Sequence, residues 1–161
     1  MKVLIIDQCS GSKDYRDSSP VLDAKDIDST SRSEAVERDG VVAKRARDLY
    51  AGRQQALIDE ATNLLREAGV DVDRYFISAG FGLVEESTLL PPYEVTFSSM
   101  SKEEVRERSR ALEIQKDLLD VVADGGYDVV FLPLGKDYYT AIEPSEVYQK
   151  AGSDTPVVVF N

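Results

Sequence analysis

Apolar residues gather along the chain in short runs separated by longer mixed stretches. Val3-Leu4-Ile5-Ile6 comes first, four branched aliphatic residues with no polar break. Such a run predicts a strand buried on both faces, because a half-solvated strand would alternate apolar with polar. Val70 to Ala79, centred on Tyr75-Phe76-Ile77, predicts a second strand, Tyr127 to Gly135 a third, and Thr155 to Phe160 a fourth. Between these runs the period changes. From Arg53 to Glu67, Ala56-Leu57, Ala61 and Leu64-Leu65 recur at helical spacing, with Ala68 beyond them and Gly69 as the stop. Glu34 to Tyr50 carries a looser pattern (Val36, Val42, Ala43, Ala46, Leu49), predicting a helix interrupted near Asp39-Gly40. Ser99 or Ser101 caps a long helix whose first turn holds Glu103-Glu104 and whose end is Gly125-Gly126. Lys136 to Ile142 predicts a short helix. Val21 to Arg32 reads as an irregular connection, with Ser31 or Ser33 capping the next helix, and Pro91-Pro92 holds Leu89 to Phe97 extended. Four buried strands separated by helical patterns predict an α/β fold. The expectation is a single domain over residues 1–161, with a mostly parallel sheet of about four or more strands and helices on both faces.

Charge narrows the possible partners. The 161 residues carry 19 Lys and Arg against 30 Asp and Glu, a formal charge of -11. That field repels a phosphate backbone at long range, so a broad nucleic-acid surface is disfavoured while a local basic pocket stays open. No apolar run approaches the ~20 residues that span a membrane, and Met1-Lys2 leads straight into a strand instead of a signal peptide. A cytoplasmic chain without membrane contact is expected. Its oligomeric state stays open. There is one Cys and no His. An intramolecular disulfide and a zinc-finger pattern are therefore excluded, as are Ser-His and Cys-His nucleophile pairs. No cofactor or metal is expected. Catalysis would fall to Lys, carboxylates, Tyr, Ser or the lone thiol.

Candidate chemistry gathers where the predicted strands end. In a parallel sheet, ligands bind in the crevice at the carboxyl ends of the strands. The first strand ends in Cys9-Ser10-Gly11-Ser12-Lys13-Asp14-Tyr15, with Ser18 further on. The second ends in Ser78-Ala79-Gly80-Phe81-Gly82, followed by Tyr93-Glu94, and the third in Gly135-Lys136-Asp137-Tyr138-Tyr139. The catalytic candidates are Lys13, Cys9 and Glu94. Ser10, Ser12, Tyr15, Ser18, Ser78, Gly80, Gly82, Tyr93, Gly135, Tyr138 and Tyr139 are the binding candidates. A partly buried Lys13 would lose its proton more easily and become a nucleophile or base; the alternative is a surface or anion-contacting lysine. Cys9 is either a reactive thiol or a small buried filler. Tyr138-Tyr139 either stacks on an aromatic ligand or packs, and Glu94 is either an acid/base or half of a surface ion pair. Ser10-Gly11-Ser12-Lys13 lacks the spacing of a nucleoside-triphosphate loop.

Two resemblances add to this reading. Cys9-x3-Lys13-x-Tyr15-x2-Ser18 resembles the signature Cys-x3-Lys-Pro-Tyr-x2-Ser of the archaeosine synthase catalytic domain, although Gln8 and Asp14 stand where that family has prolines. The resemblance implies that Lys13 attacks the nitrile of a 7-deazaguanine-type base, with Cys9, Tyr15 and Ser18 around it. A wider set of segments, Cys9-Ser10-x-Ser12-Lys13, Ala46-Arg47-Asp48-Leu49-Tyr50, Ile77 to Leu83 and Pro92 to Phe97, resembles an uncharacterised family. That family is similar in layout to bacterial peroxide-stress proteins of the cantaloupe fold, which are associated with DNA binding. The expected function is an enzyme acting on a nucleobase or nucleotide-like small molecule. The alternative is a non-catalytic module that binds a nucleotide or DNA in stress response.

Overall fold

The computed structural model describes residues 1–15 and 19–160. The elements run β1 (Lys2–Gln8), α1 (Ala24–Asp28), α2 (Arg32–Glu37), β2 (Lys44–Arg45), α3 (Ala46–Leu49), α4 (Arg53–Glu67), β3 (Asp71–Ser78), β4 (Gly82–Glu85) and β5 (Leu89–Leu90). After a 3-10 turn over Phe97–Ser99 come α5 (Lys102–Ala111), α6 (Ile114–Gly125), β6 (Val129–Leu132), α7 (Lys136–Ala141), α8 (Pro144–Ala151) and β7 (Val157–Val159). One sheet has the order β4-β3-β1-β6-β7, and β2 pairs with β5 in a separate ribbon. The four predicted strands all lie in the main sheet and are parallel to one another. The fifth, β4, runs antiparallel to β3.

The continuous apolar run of β1 follows from its place. It has β3 on one side and β6 on the other, so both edges are paired and its residues from Val3 to Asp7 are buried. Alternation then divides them. Val3 and Ile5 join Val72 of β3 in a small cluster packed by Ile58 and Leu65 of α4. Leu4 and Ile6 enter the larger cluster, with Val130 and Leu132 of β6, Val105 of α5, Leu118 and Val122 of α6 and Val147 of α8.

Several predicted boundaries shift. Residues 34–50 do not form one interrupted helix: α2 ends at Glu37, and residues 44–49 form β2 and α3. β2 pairs with β5, just before the prolines that keep residues 91–92 extended, so tertiary pairing overrides a weak helical period. The connection from Val21 to Arg32 contains α1, whose N-cap Asp23 makes a reciprocal capping box with Asp26. Ser31 caps α2 and Ser101 caps α5, each with a capping box. The long predicted helix breaks at Glu113, the one described non-glycine residue with positive φ (54°). Gly82, with φ +79°, abuts that break: a Cβ there would stand 3.0 Å from the Leu112 carbonyl oxygen. In α4 the inward residues include Gln55 and Thr62, whereas Leu57 and Leu64 are each 59% exposed. The apolar stripe predicted for α4 is thus partly a solvent face.

Candidate functional site

The parallel strands place the site. From β1 the chain crosses to β3 on one side, and later returns to add β6 on the other. The order therefore reverses between β1 and β6, and a crevice opens beyond their carboxyl ends. It is a cleft of about 430 Å³ walled by the Ser10–Ser12 loop, Thr96, Ser98, the start of α4 and the Gly135–Tyr138 turn. Hydrogen bonds hold its rim. The Gly135 amide donates to Gln8 Oε1 at 2.6 Å, tying the end of β6 to β1. Gln54 donates to the Pro133 carbonyl at 2.7 Å and Gln55 to the Gln8 carbonyl at 3.0 Å. Gly52 permits this fold-back, since a Cβ there would stand 2.2 Å from Gln55 Oε1 and 3.0 Å from the Ser10 side chain.

Below the rim lies a buried charge. Asp7 and Arg74 are almost fully enclosed and meet at 2.8 Å. Arg74 also reaches Asp59 of α4 at 2.9 Å and the Gln55 carbonyl at 3.2 Å. Burial pushes the Asp7 carboxyl above its ordinary range, and the Arg74 guanidinium pulls against it. This pair explains why α4 turns a polar residue, Gln55, toward the sheet.

Lys13 stands beside the cleft. Its backbone makes an isolated antiparallel bridge to Tyr50, flanked by bonds from the Asp14 amide to the Leu49 carbonyl (2.7 Å) and from the Ala51 amide to the Ser12 carbonyl (3.0 Å). The half-buried side chain lays Nζ over the Tyr93 ring, 4.6 Å from its centroid. Desolvation lowers the Lys13 pKa from its ordinary value, while the nearby Glu94 carboxylate acts in the opposite sense. A cation above a ring face is also favoured as a cation, yet burial sets the direction. Ser12 and Thr96 line the cleft; Lys13 and Glu94, their near neighbours in the chain, do not.

Under Lys13 runs a chain of hydroxyls. Ser78 Oγ accepts from the amides of Gly80 (3.1 Å) and Phe81 (3.0 Å) and lies 2.7 Å from the Tyr93 hydroxyl, which in turn lies 2.6 Å from that of Tyr50. With its lone pairs occupied, Ser78 donates to Tyr93 and Tyr93 to Tyr50. Burial raises the pKa of both tyrosines, so each keeps its proton. Gly80 fits under the Tyr93 ring, where a Cβ would come within 2.8 Å of a ring carbon. Tyr15 donates to Glu94 at 2.9 Å and so occupies that carboxylate.

The remaining candidates are placed as follows. The Tyr138 hydroxyl donates to the Cys9 carbonyl at 3.0 Å and lies 2.8 Å from Cys9 Sγ. A tyrosine has one proton to give, so the contact leaves the Cys9 thiol as donor to the Tyr138 oxygen. Tyr139 donates to the Leu132 carbonyl and accepts from the Phe160 amide at 3.2 Å, linking β6 to the end of β7. Gly82 packs against the α5–α6 break, apart from the cleft. Ser18 lies outside the described residues. Arg53, Gln54, Gln55, Thr96, Ser98 and Lys136 line the cleft although their types alone do not single them out. The legible signal is Gly52-Arg53-Gln54-Gln55, three polar residues opening an otherwise apolar-periodic helix directly after a glycine.

Strand order and cleft define an α/β domain of the switch-point type, with a lysine and a buried hydroxyl chain beside the crevice. The chain belongs to a family of unknown function, DUF6884, whose profile matches residues 36–158. That stretch holds Tyr50, Ser78, Tyr93, Glu94 and Tyr138, while β1 and the loop with Cys9 and Lys13 precede it. None of the curated proteins compared matches the chain. Among the described residues, no helix is long and apolar enough to cross a membrane.

Proposed function

We propose that this chain is an enzyme acting on a nucleobase or nucleotide-like small molecule, with the Lys13 amine as nucleophile or base. The observation that carries the reading is the Lys13 amine itself: half-buried, depressed in pKa by desolvation, and set over Tyr93 beside a switch-point cleft. Neutral amine is the reactive form, and burial raises its share at neutral pH. The resemblance of Cys9-x3-Lys13-x-Tyr15 to the archaeosine synthase signature suggests the chemistry. The neutral amine would add to the nitrile carbon of a 7-cyano-7-deazaguanine-type base, forming one C–N bond. One of the two nitrile π bonds breaks, and the proton lost by the attacking amine ends on the nitrile nitrogen. Tyr93 would hold the amine in place, and Tyr15 with Glu94 would flank it. On this reading the protein works in the cytoplasm.

The test is intact-mass spectrometry of the protein after incubation with 7-cyano-7-deazaguanine and a panel of common nucleobases and nucleotides. Addition to a nitrile expels nothing, so the expected adduct has the full mass of the ligand and is absent from Lys13→Arg, whose guanidinium stays protonated. An adduct or turnover that survives Lys13→Arg removes Lys13 from the chemistry.

One observation favours a second reading, a non-catalytic nucleotide-binding module: Lys13 is not among the residues that line the cleft. Under that reading Lys13→Arg leaves both binding and the melting shift produced by ligand unchanged. The resemblance to a family similar in layout to peroxide-stress proteins would then be the better guide to its biology.

A further inference from the structure

The start of α4 also forms part of the wall of another cavity. A second, apolar groove of about 740 Å³ opens on the far side, walled by Leu57 and Ala61 of α4 and by Phe131, Pro133, Leu134 and Phe160. Both cavities include Arg53, Gln54 and Gly135 in their walls. The groove exists because α4 covers β1 and β3 and leaves the outer half of that sheet face open: α4 makes its sheet contacts with β3 and β1. Leu57 is 59% exposed and Phe160 48%. The rings of Phe131 and Phe160, both in the wall of the groove, lie 6.5 Å apart with a 40° tilt.

Charge decides what kind of molecule fits. The protein as a whole is strongly acidic, yet the two cavities together carry two cations, Arg53 and Lys136, against one carboxylate, Asp137. Most described cations are spent on carboxylates, as Lys44 is on Asp14, Arg47 on Asp59, Arg66 on Glu86 and Arg108 on Asp28. Arg53 and Lys136 have no ion-pair partner among the described residues. A guanidinium standing unpaired where a hydroxyl-rich cleft meets an apolar groove suits a molecule with one anionic end and one apolar end.

We infer that the adjoining cavities form a binding site for a small amphipathic organic anion: a carboxylate, sulfonate or phosphate head at Arg53 and a planar or apolar body along Leu57, Phe131 and Phe160. This goes beyond the reading of Lys13 and stands without any chemistry at that residue.

Fluorescence titration of the full chain with 8-anilinonaphthalene-1-sulfonate, against the uncharged N-phenyl-1-naphthylamine, tests it. The sulfonate is expected to bind about tenfold more tightly than the uncharged probe, as one charge-assisted contact allows. Arg53→Gln should erase that difference while leaving the uncharged probe unaffected. Leu57→Asp, at an exposed position that does not threaten the fold, should weaken both. Lys13→Arg should change neither, which separates this inference from the preceding proposal. Equal affinities for the two probes, or a preference that survives Arg53→Gln, would overturn it. So would light scattering that shows a dimer dissociated by Leu57→Asp, because the occupant of the groove would then be a second copy of the chain.

Discussion

At the scale of single residues, Lys13 and Ser78 make opposite demands on the fold. A buried amine is more stable uncharged, so its folded pKa lies below that of the unfolded chain. In the window between the two values the unfolded chain holds more protons, and stability therefore rises with pH. Lys13→Met is expected to stabilise the protein at neutral pH. The advantage should shrink as pH climbs toward the ordinary lysine range of ~10.4, which urea denaturation at pH 7 and pH 10 would reveal. Ser78 acts on the fold through its hydrogen bonds. Its buried hydroxyl satisfies two amides and the Tyr93 hydroxyl at once. Ser78→Ala leaves the two amides without a partner and takes one of the two hydroxyl contacts from Tyr93, and should cost about 1–3 kcal/mol in the same experiment. Tyr50→Phe, which removes the last hydroxyl of the chain, should cost less.

At the scale of elements, β1, β3 and α4 are locked together by Asp7, Arg74, Asp59 and Gln55. Removing one member of a buried ion pair strands the other charge. Arg74→Met should therefore destabilise by about 3–5 kcal/mol, while the double variant with Asp7→Leu should recover much of the loss. A double variant no better than the single would show that the cost comes from packing around Arg74. This network also marks where the sequence stops being legible. Val3–Ile6, Tyr75–Ser78 and Val129–Leu132 declare themselves as strands because their side chains are packed into or against apolar clusters, which favours apolar runs over clean alternation. Arg74 sits inside such a strand, and nothing in its neighbours announces that it points at Asp7. The short strands β2 and β5 exist through their mutual pairing, a long-range fact that local periodicity does not carry. The break at Glu113 likewise sits in a long-range contact, with the Gly82 turn against Leu112. Ser31, Ser101, Gly69 and Gly126, whose effects are local, mark helix ends as the sequence leads one to expect. The candidate site divides in the same way. Strand-end loops identify Ser10, Ser12, Gly135 and Tyr138, whereas Thr96 and Ser98 reach the cleft only through the path of the extended segment after β5.

At the scale of the whole molecule, charge governs which partners can approach. The arginines of α5 are already engaged: Arg108 binds Asp28 through two nitrogens and also the Ala79 carbonyl, while Arg106 and Arg110 both lie within 4 Å of Glu103. Against a formal charge of -11 they offer no free basic stripe. A gel-shift assay with a 20-bp duplex at physiological salt should show no complex at about 10 µM protein. A tight complex that weakens steeply with salt would bring the DNA-binding reading to the front, and Arg106 and Arg110 would be the residues to neutralise. The proposed ligand is instead a small molecule, met by Arg53 and Lys136, which have no ion-pair partner among the described residues, and the chemistry proposed for it turns on one amine. NMR titration of the lysine Cε and Nζ signals, with the Lys13 resonance assigned by its loss in Lys13→Arg, measures that amine directly. The account predicts that Lys13 titrates at lower pH than the exposed lysines; titration together with them, or above them, would contradict it.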